Sequence, residues 1–591
     1  MEDRPGTIAR PRERLLVVAA GLALSILMTW PLATGLDRLG RTEAVNADGQ
    51  YSIWNVAWVA RTIVADPLRL FDANIFFPHK TTLAYSEANI LPGLIGAPAY
   101  WLTKNPWLTL NVVLLFAFTS AYVCAYLLLR HLTGDRRAAA AGALLYAFCP
   151  YVFSHLSHIQ LLMTGGMPLS MLMLHRLADA VSSFRLETEA TSMAGLDATR
   201  IKAAGTSALF GVSAFRQKTL WRGIALGLAL AAQALSCAYY GVFAGLMVGY
   251  GALVLAGTRR LWWSAPYWTA IAAGAATSLA LVLPFFVPYL RVQRETGFAR
   301  TVEETARWSA GARDYLMSAT HAHGGLLSYA RSFGPWSGEV LFPGFLAITF
   351  GVAGGVIAAR RGGRSRETAL LYGSLALLAF WSSFGPGAGL YRVLYYLPTF
   401  SFLRAPSRLG LVVVLCLAVF ATMALAAILD AVASRRRSLV AAVAATLAVA
   451  ELAVFPLKWA TAPDLPAPYA QLAASPRAPL AEFPFYGERV AFPLHTQYML
   501  FSTRHWMPLV NGYSDVIPAD FREAAAVLDG FPSSDGFAML ARRRVRYIAI
   551  HWDMYAGRHD EIRRRLEPYR PHLQLLAEDA RMSLYEVVRY P

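Results

Sequence analysis

The chain has 591 residues, of which 56% are hydrophobic and only 15% charged. Soluble domains carry roughly 25% charged residues, so the composition excludes an ordinary soluble enzyme and points to a chain solvated largely by lipid. The net charge of +17 does not make it a nucleic-acid binder, because its basic residues sit in short clusters between apolar runs, as the positive-inside rule requires.

Arg4, Arg10, Arg12 and Arg14 precede an apolar run from Leu15 to Leu36. A cleaved signal peptide has an apolar region of roughly 7–15 residues; this run is longer and reads as an uncleaved first span with a cytoplasmic N-terminus. Further spans are expected at 107–130, 138–154, 159–178, 222–236, 238–257, 266–290, 341–359, 368–384, 409–430 and 438–458, about eleven in all. Charge tests this independently. Arg130/Arg136/Arg137, the stretch from Arg176 to Arg222, Arg259/Arg260, Arg360/Arg361/Arg364/Arg366 and Arg435/Arg436/Arg437 fall on alternate, cytoplasmic loops. The turns Ser154–His158 and Ser236–Tyr239 hold no Lys or Arg, which places the C-terminus outside. The cysteines (Cys124, Cys149, Cys237 and Cys416) lie in apolar runs and suit packing.

Residues 1–458 are thus read as a transmembrane region with long outer loops at 37–106, 291–340 and 385–408. In the first loop Ile53, Val56, Ala57, Ala60 and Ile63 share a helical face with Trp54 and Trp58 beside it, which predicts a helix lying flat at the membrane interface. The Pro- and Gly-rich stretch Ile90–Leu102 is expected to be re-entrant or interfacial. The cytoplasmic segment around 181–221 has little apolar periodicity and reads as mobile. Prolines 463, 466, 468, 476 and 479 mark a linker over 459–478. Residues 479–591 alternate strand-like Leu480–Phe485, Val545–His551 and Met582–Val588 with helix-like Ala519–Leu528 and Asp560–Leu566, a small α/β extracytoplasmic domain without a nucleotide-binding glycine fingerprint.

The most informative residues follow the first span: Asn46-Ala47-Asp48-Gly49-Gln50. A carboxylate just above the outer surface is placed to take a proton from an acceptor hydroxyl or to hold a divalent metal against a phosphate. Asp48 equally suits an N-cap for the helix that begins near Gln50.

Taken together, the first span, the loop-one Asp, the helix after it, the further spans and the outer domain resemble the C-type glycosyltransferase superfamily, which uses polyprenyl-phosphate sugar donors. Within it the chain is most similar to a group of bacterial membrane proteins. The likeness rests on Ala47-Asp48-Gly49-Gln50 with Trp54-Asn55, Phe76-Phe77-Pro78-His79, Gly338-Glu339-Val340-Leu341-Phe342-Pro343-Gly344, Leu403-Arg404-Ala405-Pro406-Ser407-Arg408 and Asn511-Gly512-Tyr513-Ser514. The resemblance implies a catalytic carboxylate at Asp48 and a bacterial inner-membrane location. Loop one lacks the Asp-x-Asp or Asp-Glu pair of some branches, which leaves a divalent metal open.

Other outer-face residues extend the candidate site. Glu87 is a second catalytic carboxylate or a solvated loop acid. His79-Lys80 is a phosphate contact, Lys80 acting as a point charge, or an exposed loop. His155 and His158 share a helix face at i and i+3, for a metal or for hydrogen bonding at the interface. Glu339 precedes a span and serves substrate, metal or helix capping. Arg404 and Arg408, spaced i,i+4, clamp the donor phosphate or anchor to lipid head groups. Tyr239 and Tyr240 stack on a sugar or join the aromatic belt, and Glu451, inside the last span, needs a partner.

The function expected is inverting sugar transfer from a polyprenyl-phosphate donor to a hydroxyl of a glycan, lipid or protein acceptor on the outer face. The alternatives are a flippase for a lipid-linked glycan and a non-catalytic assembly subunit.

Overall fold

In a computed structural model of the protein the described residues are 11–43, 46–193, 198–325, 339–396 and 403–591, with backbone only at 186–193 and 198–212. The chain is mostly helical. The N-terminal part contains α1 (Pro11–Met28), α2 (Ala47–Ala65), α3 (Ile90–Thr103), α4 (Pro106–Thr133), α5 (Arg136–Ala147), α6 (Pro150–Ser154), α7 (Ile159–Leu162), α8 (Gly166–Met193), α9 (Ala198–Ser236), α10 (Ala238–Thr258) and α11 (Ala265–Thr296). After α12 (Val302–Arg307) come α13 (Phe345–Arg360), α14 (Gly363–Ser383), α15 (Leu390–Tyr395), α16 (Gly410–Ala431) and α17 (Arg437–Leu452).

Local chemistry sets the ends of these helices. Asn105 caps α4 by accepting the Leu108 N–H at 2.9 Å, Pro106 fills its first position, and Gly134 ends it at φ 74°. Asp135 then caps α5 through the Arg137 and Ala138 N–H groups at 2.7 and 2.8 Å. Close packing needs small residues: a Cβ on Gly354 of α13 would sit 1.8 Å from the Phe420 carbonyl oxygen of α16. Among the described residues, α4, α10, α11 and the stretch Pro406–Ala431 are long and apolar enough to cross a membrane.

Several expectations change here. The span expected at 138–154 is broken after Ala147 into α5 and α6, and the one at 159–178 into α7 and α8, so the turn carrying His155 and His158 is folded into the bundle. The segment around 181–221 continues α8 and α9 as helix on either side of residues 194–197, which lie outside the described residues, as do Arg4, Arg10 and Gly338. The linker is structured: β1 (Leu39–Gly40) pairs antiparallel with β2 (Ala460–Thr461), and α18 (Pro468–Ala474) packs on the C-terminal sheet.

That sheet has the order β3-β4-β6-β5, from β3 (Leu480–Phe483), β4 (Tyr547–His551), β5 (Leu573–Glu578) and β6 (Met582–Val587). The β3–β4 pair is parallel, with Leu480 opposite Tyr547, and the other pairs are antiparallel. Helices α19 (Thr496–Phe501), α20 (Ala519–Leu528), α21 (Ser534–Arg542) and α22 (His559–Leu566) complete the unit.

The main correction concerns α2. Trp54 and Trp58 are 0% and 2% exposed, so the helix is enclosed by protein and does not lie on a membrane surface. Trp54 Nε1 donates to Asn74 Oδ1 at 3.0 Å, while Asn74 Nδ2 donates to Ser502 Oγ and to the Met507 carbonyl, both at 3.0 Å. Trp58 Nε1 donates to the Leu70 carbonyl at 2.9 Å, and its ring meets Trp506 edge-on. Residues of loop one and of the C-terminal sheet therefore share one apolar core, from Trp54 and Ile75 to Phe483 and Ile550. Helix α3 packs on α2 and leaves Leu94, Trp101 and Leu102 exposed.

Replacing Asn74 by Ala strands the Trp54 N–H and two acceptors in this core. The expected cost is about 2–3 kcal/mol, read as a lower unfolding midpoint in detergent together with faster proteolysis within 459–478. An unchanged midpoint and cleavage rate would show that this seam does not hold the C-terminal domain.

Candidate active site

The site begins with the cap of α2. Asn46 supplies it: its Oδ1 accepts the Gly49 N–H at 3.0 Å, and its Nδ2 donates to Ser157 Oγ at 3.0 Å. Asp48 is thereby released from the capping role. Gly49 lets the chain close on itself, since a Cβ there would lie 1.7 Å from the Arg41 carbonyl oxygen. The Asp48 carboxylate is 55% exposed and lies 3.3 Å from His158 Nε2. The hydrogen bond from His158 holds its carboxyl below the usual range; burial opposes this, and the charges of His158 and Arg404 reinforce it.

His155 sits beside His158, their rings 6.1 Å apart. Its Nδ1 lies 2.9 Å from the Tyr151 carbonyl and its Nε2 3.2 Å from Glu339. Burial alone would raise the Glu339 carboxyl, but the His155 hydrogen bond and charge and the nearby Arg408 hold it below its ordinary value. The capping role for Glu339 is taken by Glu451, which accepts the Phe345 and Leu346 N–H groups at the start of α13 and pairs with His323 at 3.0 Å.

Two stacked arginines face this group. Arg408 lies over Tyr239 at 4.4 Å and Arg404 over Trp308 at 4.4 Å. Arg404 precedes a short 3-10 turn, Pro406–Leu409, and Arg408 lies within it, so the i,i+4 spacing does not put them on one α-helical face. Arg404 also reaches Glu304 at 3.4 Å and Asp515 at 3.8 Å, and Arg300 pairs with the same two acids at 2.6 and 3.0 Å. The Arg404 N–H donates to the Tyr239 hydroxyl at 2.7 Å, whereas Tyr240 is buried and bonded to Tyr151.

Glu87 lies under this layer. It accepts the Ala238 N–H at the start of α10, and Cys237 Sγ is 3.9 Å away. Burial pushes its carboxyl up to about 7, although the Ala238 N–H and the charge of Arg408 pull the other way.

The fold thus gathers Asp48, Glu87, His155, His158, Glu339, Arg404 and Arg408. His79 and Lys80 stand apart from them: His79 pairs with Asp520 at 2.7 Å, Arg543 joins that acid at 2.8 Å, and Lys80 is exposed. Arg300, Glu304, Trp308, Tyr513 and Asp515 were not marked as site residues in the sequence. Of these only Tyr513 lies in a segment, Asn511–Ser514, that the resemblance drew on. Tyr513 lies within electrostatic reach of Asp48 and Asp515. Among the described residues no group of three or more His, Cys, Asp or Glu side chains is arranged to hold a metal. The donors form two separate His–carboxylate pairs, His158–Asp48 and His155–Glu339.

No protein-family model and no curated protein matches the sequence. Solved structures do. The oligosaccharyltransferase AglB from Archaeoglobus fulgidus, in complex with an inhibitory peptide and a dolichol-phosphate, superimposes with a TM-score of 0.50 at 14% identity over 92% of this chain and 69% of that one. Its apo form gives 0.51 at 15% over 94% and 71%. The arabinofuranosyltransferase AftD from Mycobacteria gives 0.52 at 14% over 99% of this chain, which spans 42% of AftD. The chain shares its fold with these glycosyl-transferring membrane enzymes.

The raised Glu87 carboxyl makes stability depend on pH. Its fold favours the protonated form, so the destabilising contribution is absent below about 4.5, grows as pH rises, and is complete above about 7. Glu87→Gln is expected to remove that slope and to gain on the order of 3 kcal/mol over wild type across the window, measured by unfolding at stepped pH. Parallel curves for the two proteins would show that Glu87 does not titrate there.

Proposed function

We propose that the protein is an inverting membrane glycosyltransferase that moves a sugar from a polyprenyl-phosphate donor to an acceptor hydroxyl at the outer face of a bacterial inner membrane. The observation that carries this reading is the exposed Asp48 carboxylate, held ionised by His158 within electrostatic reach of Arg404. The fold supports it, as does the dolichol-phosphate bound by AglB. About eleven spans with a cytoplasmic N-terminus and an outer C-terminus fit the charge pattern.

In this reaction the acceptor O–H hydrogen-bonds to Asp48. The oxygen attacks the anomeric carbon, the bond from that carbon to the phosphate oxygen breaks, and the electron pair leaves with the lipid phosphate. A carboxylate with a lowered pKa is a weak base, so the proton passes to Asp48 as the new C–O bond forms and the hydroxyl becomes acidic. Arg408, fixed over Tyr239, and Arg404 meet the charge that develops on the leaving phosphate. Glu339 and His155 hold the wall between the two arginines and His158. The C-terminal domain contributes Tyr513 and Asp515 beside this space, which places it to bind the acceptor.

Asp48→Asn in proteoliposomes supplied with candidate polyprenyl-phosphate sugars is expected to lose about 10²–10⁴-fold in transfer rate. Full activity in that variant would remove Asp48 from the chemistry. Arg408→Gln is expected to lower kcat by about 10²–10³-fold with a smaller change in KM. Movement of an intact glycolipid across the bilayer with its sugar bond unbroken would replace this reading by a flippase.

A further inference from the structure

Helix α10 links the Asp48 region to a second charged region. It starts at Ala238, whose N–H is held by Glu87, and runs for 21 residues to Thr258. At ~1.5 Å per residue its far end lies about 31 Å away, close to the hydrocarbon thickness of a bilayer. There the turn after α10 and the start of α14 enclose a cavity of about 710 Å³, lined among others by Arg185, Arg259, Arg260, Arg364, Arg366 and Glu367.

Much of this cavity is fixed in place. Arg259 is gripped bidentately by Glu367, at 2.9 and 2.6 Å, and donates to Asp179 at 2.6 Å. Arg185 donates to the Arg260 carbonyl at 2.6 Å, which braces the turn where Arg260 holds φ 56°. Arg364 reaches Asp179 at 3.4 Å. The carboxylates are therefore spent on the arginines that build the wall. Arg260 and Arg366 are exposed, and among the described residues neither has a carboxylate partner. Among the described residues the arginines exceed the acids, so the cavity attracts an anion carrying more than one negative charge.

The rim indicates what carries that charge. Trp263 is 98% exposed and Trp262 48%, both on the turn after Arg260, and Leu370 on the opposite wall is 54% exposed. Exposed tryptophans beside basic side chains, one bilayer thickness from the other face, mark a membrane–water boundary. A soluble anion has no use for this apolar rim, whereas a lipid lays its chains along it.

We propose that this cavity binds the head-group phosphates of an anionic phospholipid, preferably one with two phosphates, in the leaflet opposite the Asp48 face. Arg260 and Arg366 grip the phosphates, and Trp262, Trp263 and Leu370 receive the first methylenes of the chains.

The test uses the full chain in bilayer discs of phosphatidylethanolamine, with or without cardiolipin, followed by release into neutral detergent and native mass spectrometry. The wild type is expected to keep cardiolipin, and Arg260→Gln/Arg366→Gln to keep about tenfold less, a loss of about 1.4 kcal/mol. The variant's unfolding midpoint in lipid-free detergent should match wild type. If the double variant does not fold, Arg366→Gln alone carries the comparison, with a loss of about threefold. Equal retention by wild type and a folded variant overturns the proposal. Inorganic pyrophosphate stabilising the lipid-free protein as strongly as cardiolipin does overturns it as well, since the site would then take a soluble anion.

Discussion

The arrangement of the half that carries Asp48 depends on the hydrogen-bonded seam between α2 and the C-terminal domain. Trp54, Asn74, Ser502 and Met507 form a chain of buried donors and acceptors that are all satisfied only when loop one and the domain are docked. The penalty for opening it is the desolvation of each stranded group, on top of the shared apolar core. Because the same helix begins at Asn46 and Asp48, the seam fixes the position of the exposed carboxylate relative to both the bundle and the domain. Gln50 adds a link close to Asp48, accepting from Thr496 at 2.8 Å.

Around that anchored end the charges are layered. The imidazoles stand next to the carboxylates at Asp48 and Glu339, and the guanidiniums are stacked on Tyr239 and Trp308. Stacking orients a guanidinium without consuming its N–H donors, so they stay available to an oxyanion. Arg300 and Arg404 share Glu304 and Asp515, which keeps two cations compact where they would otherwise repel. Asp515 comes from the C-terminal half and is also bonded by Ser86 at 2.8 Å. Three chain segments far apart in sequence thus meet at one acid.

Some of this was legible in the sequence. The span expected at 107–130 falls within α4, and Ala519–Leu528 was read as a helix to the residue. The Asp48 neighbourhood stood out because a carboxylate next to a span has few reasons to be there. The setting of α2 was not legible. Its Trp and aliphatic positions suit lipid and protein surroundings alike, and hydropathy alone does not separate them; burial against Trp506, and the bonds of Asn74 to Ser502 and Met507, depend on chain placed hundreds of positions later. The break between α5 and α6 at Phe148–Cys149 was hidden for a similar reason, since both sides are apolar. Asp515 and Arg300 gave no local signal, because their meaning lies in a contact formed only by folding.

The common core of loop one and the C-terminal sheet bears on what counts as a unit in this chain. A cut at residues 459–478 would not free a globular module: it would bare Trp54, Ile75 and Phe76 on one piece and Phe483, Phe521 and Ile550 on the other, all of them buried in the intact protein. The indivisible piece is loop one together with everything after β2, and the β1–β2 pair ties loop one to the segment that leads into the C-terminal sheet. Exchanging the outer domain for another, by engineering or by recombination, therefore requires exchanging residues 37–106 as well, and with them the segment that carries Asp48.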